Sequence, residues 1–216
     1  NTQMGVMSSA QVKVLTTAQI SGLSAGQVSA IATQSVQGLS TLQIRTLRSD
    51  QVAAITTTQL SKLVSSQIGA ISSAAVSSLT TAQMASLDAT QVQAMGTAQL
   101  SVLGSAQINS LTGTSVSALK TQQVTALNTT SLGGVQSSTL QSLVTGQYKA
   151  LSTAQLVSLS SAQIQTIEAA DIASLSTQQL NALTTAQSSA LTTLQIQALT
   201  TRQVSGLTTQ WIRSMG

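Results

Sequence analysis

Thr80-Thr81-Ala82-Gln83-Met84-Ala85-Ser86-Leu87 is one copy of an eight-residue sentence that runs the length of the chain. Its general form is x-(Ser/Thr)-x-Gln-Φ-x-small-Leu, with Φ aliphatic. From Ser8 to Met215 twenty-six such octads follow one another without insertion or deletion, and Asn1–Met7 supply the last seven residues of one more. A repeat this regular dictates an array in which each unit is one small structural step. Residues 1–216 therefore read as a single array of twenty-seven units, the first incomplete.

The eighth position is apolar in all twenty-six full units, and the fifth is aliphatic or Met in all but two, where Tyr148 and Ser188 stand. Two apolar columns with alternating spacings of three and five must both be hidden. One continuous helix cannot hide them, because eight residues overshoot two turns by about 80° and the stripe spirals off any fixed face. A strand places the two columns on opposite faces. A short helix that restarts in every octad puts the fifth and eighth positions on one face as i and i+3. The expected fold is thus all-α, a solenoid of one- to two-turn helices, one per repeat. A β-solenoid is the alternative, encouraged by Val, Ile and Thr and opposed by Ala, Gln, Leu and the lack of a regular Gly, Asn or Asp turn position.

Two hydroxyl positions can cap such helices. The second is Ser or Thr in twenty-two units, and the first in fifteen. The stricter second position is expected to be the N-cap. A first-position cap would form the box Ser/Thr-x-x-Gln. Helices this short are marginal alone, so stability must come from neighbouring coils. The small seventh position marks where coils approach, and the first, third and sixth, which carry most charges, face solvent.

Gln fills the fourth position in nineteen units, including Gln11, Gln19, Gln83, Gln155 and Gln203. A carboxamide both donates and accepts, so this column is expected to satisfy backbone groups that short helices leave open. The functional alternative is an exposed amide ladder that recognises a ligand or another filament. Between Thr112 and Thr139 three units lack the Gln, which predicts local softening or a bend. Met4 and Met7 near one end, and Trp211, Ile212 and Met215 near the other, are candidate end contacts. Trp211 could instead offer a stacking platform for sugar.

Composition narrows the chemistry. Histidine and cysteine are absent, aromatic residues make up 1% and charged residues 6%. The commonest general base, thiol nucleophile and most transition-metal sites are thereby removed. Asp50, Asp88, Glu168 and Asp171 are the only carboxylates. Glu168 and Asp171, three apart, are expected to be a solvated pair, and calcium is disfavoured by so few acids. No catalytic residue, metal or cofactor is expected, and the chain is not read as an enzyme. The pI near 10.2 arises from eight scattered Lys and Arg residues without aromatic interleaving, so nucleic acid is not an expected partner. No apolar run suits membrane insertion.

The units Leu151-Ser152-Thr153-Ala154-Gln155-Leu156, Leu191-Thr192-Thr193-Leu194-Gln195-Ile196 and Leu199-Thr200-Thr201-Arg202-Gln203-Val204 resemble the Leu-(Ser/Thr)-Thr-x-Gln-Φ arrays of very large secreted or surface-displayed, adhesin-like bacterial repeat proteins. The resemblance implies an extracellular structural setting and carries over no functional residues. The octad phase runs to both ends, and Asn1 begins inside a unit, which fits an excised length of a longer array. The expected function is a stiff extracellular fibre or filament segment, self-associating head to tail or continued by flanking repeats. The alternative is an adhesin-type module for polysaccharide, a host surface or ice.

Overall fold

The computed structural model describes residues 2–215. Twenty-six α-helices and one 3-10 turn, Val36–Gly38, follow one another at octad spacing, each three to six residues long. No strand occurs among the described residues, so the β-solenoid alternative falls and the all-helical solenoid stands.

Each octad builds its step from the same local moves. In the unit Thr80–Leu87, Thr80 is extended (φ −72°, ψ 161°), Thr81–Ala85 are helical and Ser86 closes the turn at φ −82°, ψ −8°. Position eight is extended where it follows a six-residue helix, as at Leu23 (φ −64°, ψ 143°). An extended eighth and an extended first residue together make the corner between helices.

The N-cap is the first position, not the second. Thr80 Oγ1 accepts from the Gln83 backbone N–H at 3.2 Å, and Gln83 Oε1 accepts from the Thr80 N–H at 2.7 Å. The same reciprocal box forms at Ser8, Thr16, Ser24, Ser40, Thr56, Asp88, Ser152 and onward. The stricter second position has another task. It is the first helical residue, and it lies beneath the seventh position of the unit three octads later. A Cβ on Gly38 would stand 2.3 Å from the Ser9 carbonyl oxygen, and one on Gly206 would stand 2.7 Å from Thr177 Cγ2. A small hydroxyl residue below and a small residue above satisfy that seam, which is why both columns are narrow in choice.

Three octads make one coil. Thr81–Ala85 packs against Ser105–Ser110, Ala89–Ala94 against Ser65–Ala70, and the same spacing of three units recurs along the chain. A three-sided coil of twenty-four residues encloses one apolar core. The fifth and eighth columns line it from Val12 and Ile20 to Leu180 and Leu183, mostly with no more than a few per cent of their surface exposed. Burying a Leu or Ile side chain contributes about 1.5–3 kcal/mol. Only stacking of coil on coil supplies that burial, since no single unit has an inside.

A candidate functional site in the buried amide ladder

Fourth-position side chains stand at the coil corners, where the N-terminus of one helix overlies the C-terminal turn of the helix four units earlier. In that turn the fifth-position carbonyl accepts the eighth-position N–H, as Val52 does from Ile55 at 3.2 Å, and keeps a lone pair free, while no backbone N–H reaches the eighth-position carbonyl. Gln83 Nε2 donates to the carbonyls of Ile55 at 2.7 Å, Val52 at 3.0 Å and Ala53 at 3.3 Å. Gln155 reaches Leu127 at 2.8 Å and Val124 at 3.0 Å, and Gln203 reaches Leu175 at 2.7 Å and Ala173 at 3.0 Å. Every fourth-position Gln from Gln43 to Gln203 makes such bonds to residues 28 and 30 or 31 earlier, and all are buried. One amide therefore closes its own helix with its oxygen and ties the coil below with its nitrogen. Glutamine suits this because it carries both a donor and an acceptor on a reach of three carbons.

Gln11 and Gln19 lie in the first full coil. Their oxygens close the boxes at Ser8 and Thr16, at 2.9 and 2.8 Å, while their Nε2 groups meet no carbonyl among the described residues. Of the candidate end contacts, Met4 and Met7 are partly buried against the core, and Ile212 and Met215 remain about two-fifths exposed. Trp211 occupies a fourth position and is 3% exposed, so its ring offers no face for sugar stacking. Its Nε1 makes no hydrogen bond among the described residues.

Units without Gln reveal residues that sequence reasoning passed over. Ser131 Oγ donates to the Leu103 carbonyl at 2.7 Å, and Asn128 adds bonds from Nδ2 to Ser101 at 2.9 Å and Leu103 at 3.2 Å. Where Thr139 replaces Gln, the Gln136 N–H is accepted by Asn109 Oδ1 of the coil below at 2.8 Å. Where Trp211 replaces it, the Thr208 N–H is accepted by Asn181 Oδ1 at 3.0 Å. Both asparagines also donate to the corner above, Asn109 to Gly134 and Asn181 to Gly206. Asn109, Asn128 and Asn181 are the only asparagines after Asn1, and each serves a unit that lacks its Gln. Their spacing, in the unit itself or 27 residues before its start, was the available signal.

Asp171 is the one acidic residue in the column. It is 7% exposed, which corrects the solvated pair expected with Glu168, and its Oδ1 accepts from Thr145 Oγ1 at 2.7 Å. A carboxylate cannot donate to Leu140, the residue 31 earlier. Tyr148 does so instead, its hydroxyl reaching the Leu140 carbonyl at 2.7 Å. Burial, with Asp171 and Glu168 nearby, pushes the Tyr148 hydroxyl pKa well above the ordinary tyrosine value. At the surface, Arg48 pairs with Asp50 at 3.0 Å, and its hydrogen bond holds the Asp50 carboxyl below the usual carboxylate value. The Arg48 guanidinium also donates to the Ser21 and Leu23 carbonyls in the coil below.

None of these groupings assembles a nucleophile with a base. No cluster of three or more metal-ligating side chains occurs among the described residues, and no described helix is long and apolar enough to cross a membrane. What the column does chemically is bond coils.

The family model of the ALTTAQ repeat matches residues 28–65 and again residues 164–201. Ala182-Leu183-Thr184-Thr185-Ala186-Gln187 spells that repeat letter for letter, from the seventh position of one unit to the fourth of the next. In the fold this segment is a corner followed by a capping box. No curated protein matches the chain.

Proposed function

We propose that this repeat solenoid is a non-catalytic structural protein, a stiff extracellular rod whose coils are continued in octad phase by further copies or by flanking repeats of a longer chain. The observation that carries the reading is the amide ladder, which links every corner bearing a fourth-position Gln from Gln43 to Gln203 to the coil below. A rod held by both a continuous apolar core and cross-coil hydrogen bonds resists bending and leaves few backbone groups open to proteases. The matched ALTTAQ repeats support a structural repeat array, and the resemblance to secreted bacterial arrays is what supports the extracellular setting. The free Nε2 groups of Gln11 and Gln19, together with corner carbonyls such as Leu199 and Leu207 at the opposite end, are complementary. A coil in the same phase supplies partners to either. Electron microscopy of purified protein tests this: rods of one width that lengthen by end-to-end contact are expected, and dispersed particles without an axial repeat at high concentration would refute the filament.

An adhesin-type reading has one observation in its favour. Corner grooves between coils are lined by hydroxyls and amides, as in the groove of about 570 Å³ formed by Lys149, Ser152, Thr153, Ser174, Ser176 and Gln178. Such surfaces suit polyhydroxy ligands, and retention on a carbohydrate panel separates an adhesin from a plain spacer.

A further inference from the structure

In an array of near-identical units, folding can start anywhere, and two nuclei can meet with one unit looped out. Nothing in a strictly regular octad forbids this, because any unit then finds an equivalent neighbour below. We propose that the irregular residues are register keys: Asn109 facing the Gln136 N–H, Asn181 facing the Thr208 N–H, and Tyr148 on Leu140 beneath the Asp171 unit make one stacking order of the coils unique.

The observations behind this are positional. Asn109 Oδ1 accepts from the Gln136 N–H, and with one unit looped out it would face the Val144 N–H, which is already accepted by Gln147 Oε1 at 2.7 Å. A looped-out unit strands the Asn109 oxygen and the Gln136 donor together. Asp171 carries no donor, and of the two carbonyls that a Gln there would have served, Leu140 and Leu143, the first is already taken by a tyrosine. Tyr148 is the sole tyrosine, so in every other register neither of the two carbonyls beneath Asp171 meets a side-chain donor. Irregular units thus match irregular units: a mismatch leaves the asparagine oxygens and the corner N–H groups, all at the coil surface, without protein partners, and sets Asp171 over two carbonyls that meet no side-chain donor. The device parallels the single polar residue that fixes register in a coiled coil at some cost in stability.

The test is a regularised chain in which Asn109→Ser, Thr139→Gln, Tyr148→Leu, Asp171→Gln, Asn181→Ser and Trp211→Gln restore the repeat. It is expected to unfold at no lower denaturant concentration than the parent. After refolding, hydrogen-exchange mass spectra of peptides within 104–143 should split into two or more populations, where the parent gives one. Exchange within a molecule is indifferent to end-to-end association, so the result stands apart from the filament reading. A single population in the regularised chain, or a regularised chain that does not fold, overturns the proposal. A companion measurement follows the Gln136 amide: Asn109→Ala should speed its exchange at least about tenfold, and adding Thr139→Gln should restore it. Failure of that rescue also overturns the proposal.

Discussion

Gln83 donates its side-chain amide to the carbonyl of Ile55 at 2.7 Å, while its oxygen accepts from the N–H of Thr80 at 2.7 Å, so one side chain starts a helix and fastens it to the coil below. Truncating it removes both. Gln83→Ala leaves the Thr80 N–H and the buried Ile55 carbonyl without partners and takes a second donor from the Val52 carbonyl, and it should cost about 2–4 kcal/mol. Gln19→Ala, which forfeits only the box at an exposed corner, should cost about 1 kcal/mol or less. Denaturant midpoints of the two variants check the ratio. Equal effects would mean that the cross-coil bonds contribute nothing.

Capping separates the first position from the second. Thr80→Ala should destabilise by about 1 kcal/mol because Thr80 holds the Gln83 N–H. Thr81→Ala, at the first helical residue, should change stability by no more than about 0.5 kcal/mol. Thermal unfolding of the pair reads the difference directly, and the reverse order would restore the second-position cap.

The seam between coils is as strict as the core. All the glycines lie at negative φ among the described residues, so space and not backbone handedness decides their fate. Gly38→Ala forces a Cβ to 2.3 Å from the Ser9 carbonyl oxygen and should destabilise by about 1–3 kcal/mol. Gly22→Ala meets nothing within 4 Å and should stabilise its helix by about 0.5–1 kcal/mol. Paired denaturation curves test the sign, which must be opposite.

Tyr148 gives the array an alkaline limit. Its folded-state pKa is raised, by burial first and by Asp171 and Glu168 next, so the folded chain holds the neutral hydroxyl more tightly than the unfolded chain does. The stabilisation is full below the ordinary tyrosine value of about 10 and is lost as pH rises from there toward the folded-state value. Tyr148→Phe should cost about 1 kcal/mol near neutrality by removing one of the two donors to the Leu140 carbonyl, the other being the Leu143 N–H. The variant should lose less stability than the parent above pH 10, as measured by unfolding at stepped pH. Parallel curves would detach Tyr148 from the effect.

How much of this is legible in the octad differs from feature to feature. Spacing alone places Val12, Leu15 and their successors inside and starts a helix in every unit, because both follow from the period. The number of units per coil does not follow, since it depends on which unit lies beneath Gln83, and a one-dimensional pattern is silent about that. The strictness of Thr81 and its equivalents suggested a cap, yet strictness here comes from the close approach of the seventh position above. A seam and a cap both select small hydroxyl residues, and sequence cannot separate them. Gln83 and Gln155 were read as satisfying backbone, and they do so across coils. Asn109 and Asn181 were invisible until the coil length placed them under Gln136 and Thr208.

Between Thr112 and Thr139 the helices keep their phase, and the missing amides are partly replaced by Ser115 Oγ on Leu87 at 3.3 Å and by Ser131 and Asn128 on Leu103. Thr139 has no such bond among the described residues, which marks the unit 136–143 as the loosest corner of that stretch.

A coil holds three octads, and spin-label distances from Ala98 measure this, because all the sites used are exposed and the chain has no cysteine. Labels paired with Thr114, Gln122 and Thr130 lie 16, 24 and 32 residues away. The shortest distance should be to Gln122, with backbones separated by about 10 Å as for packed helices. A shortest distance to Thr114 or Thr130 would mean two or four units per coil and would contradict the ladder that joins Gln83 to Ile55.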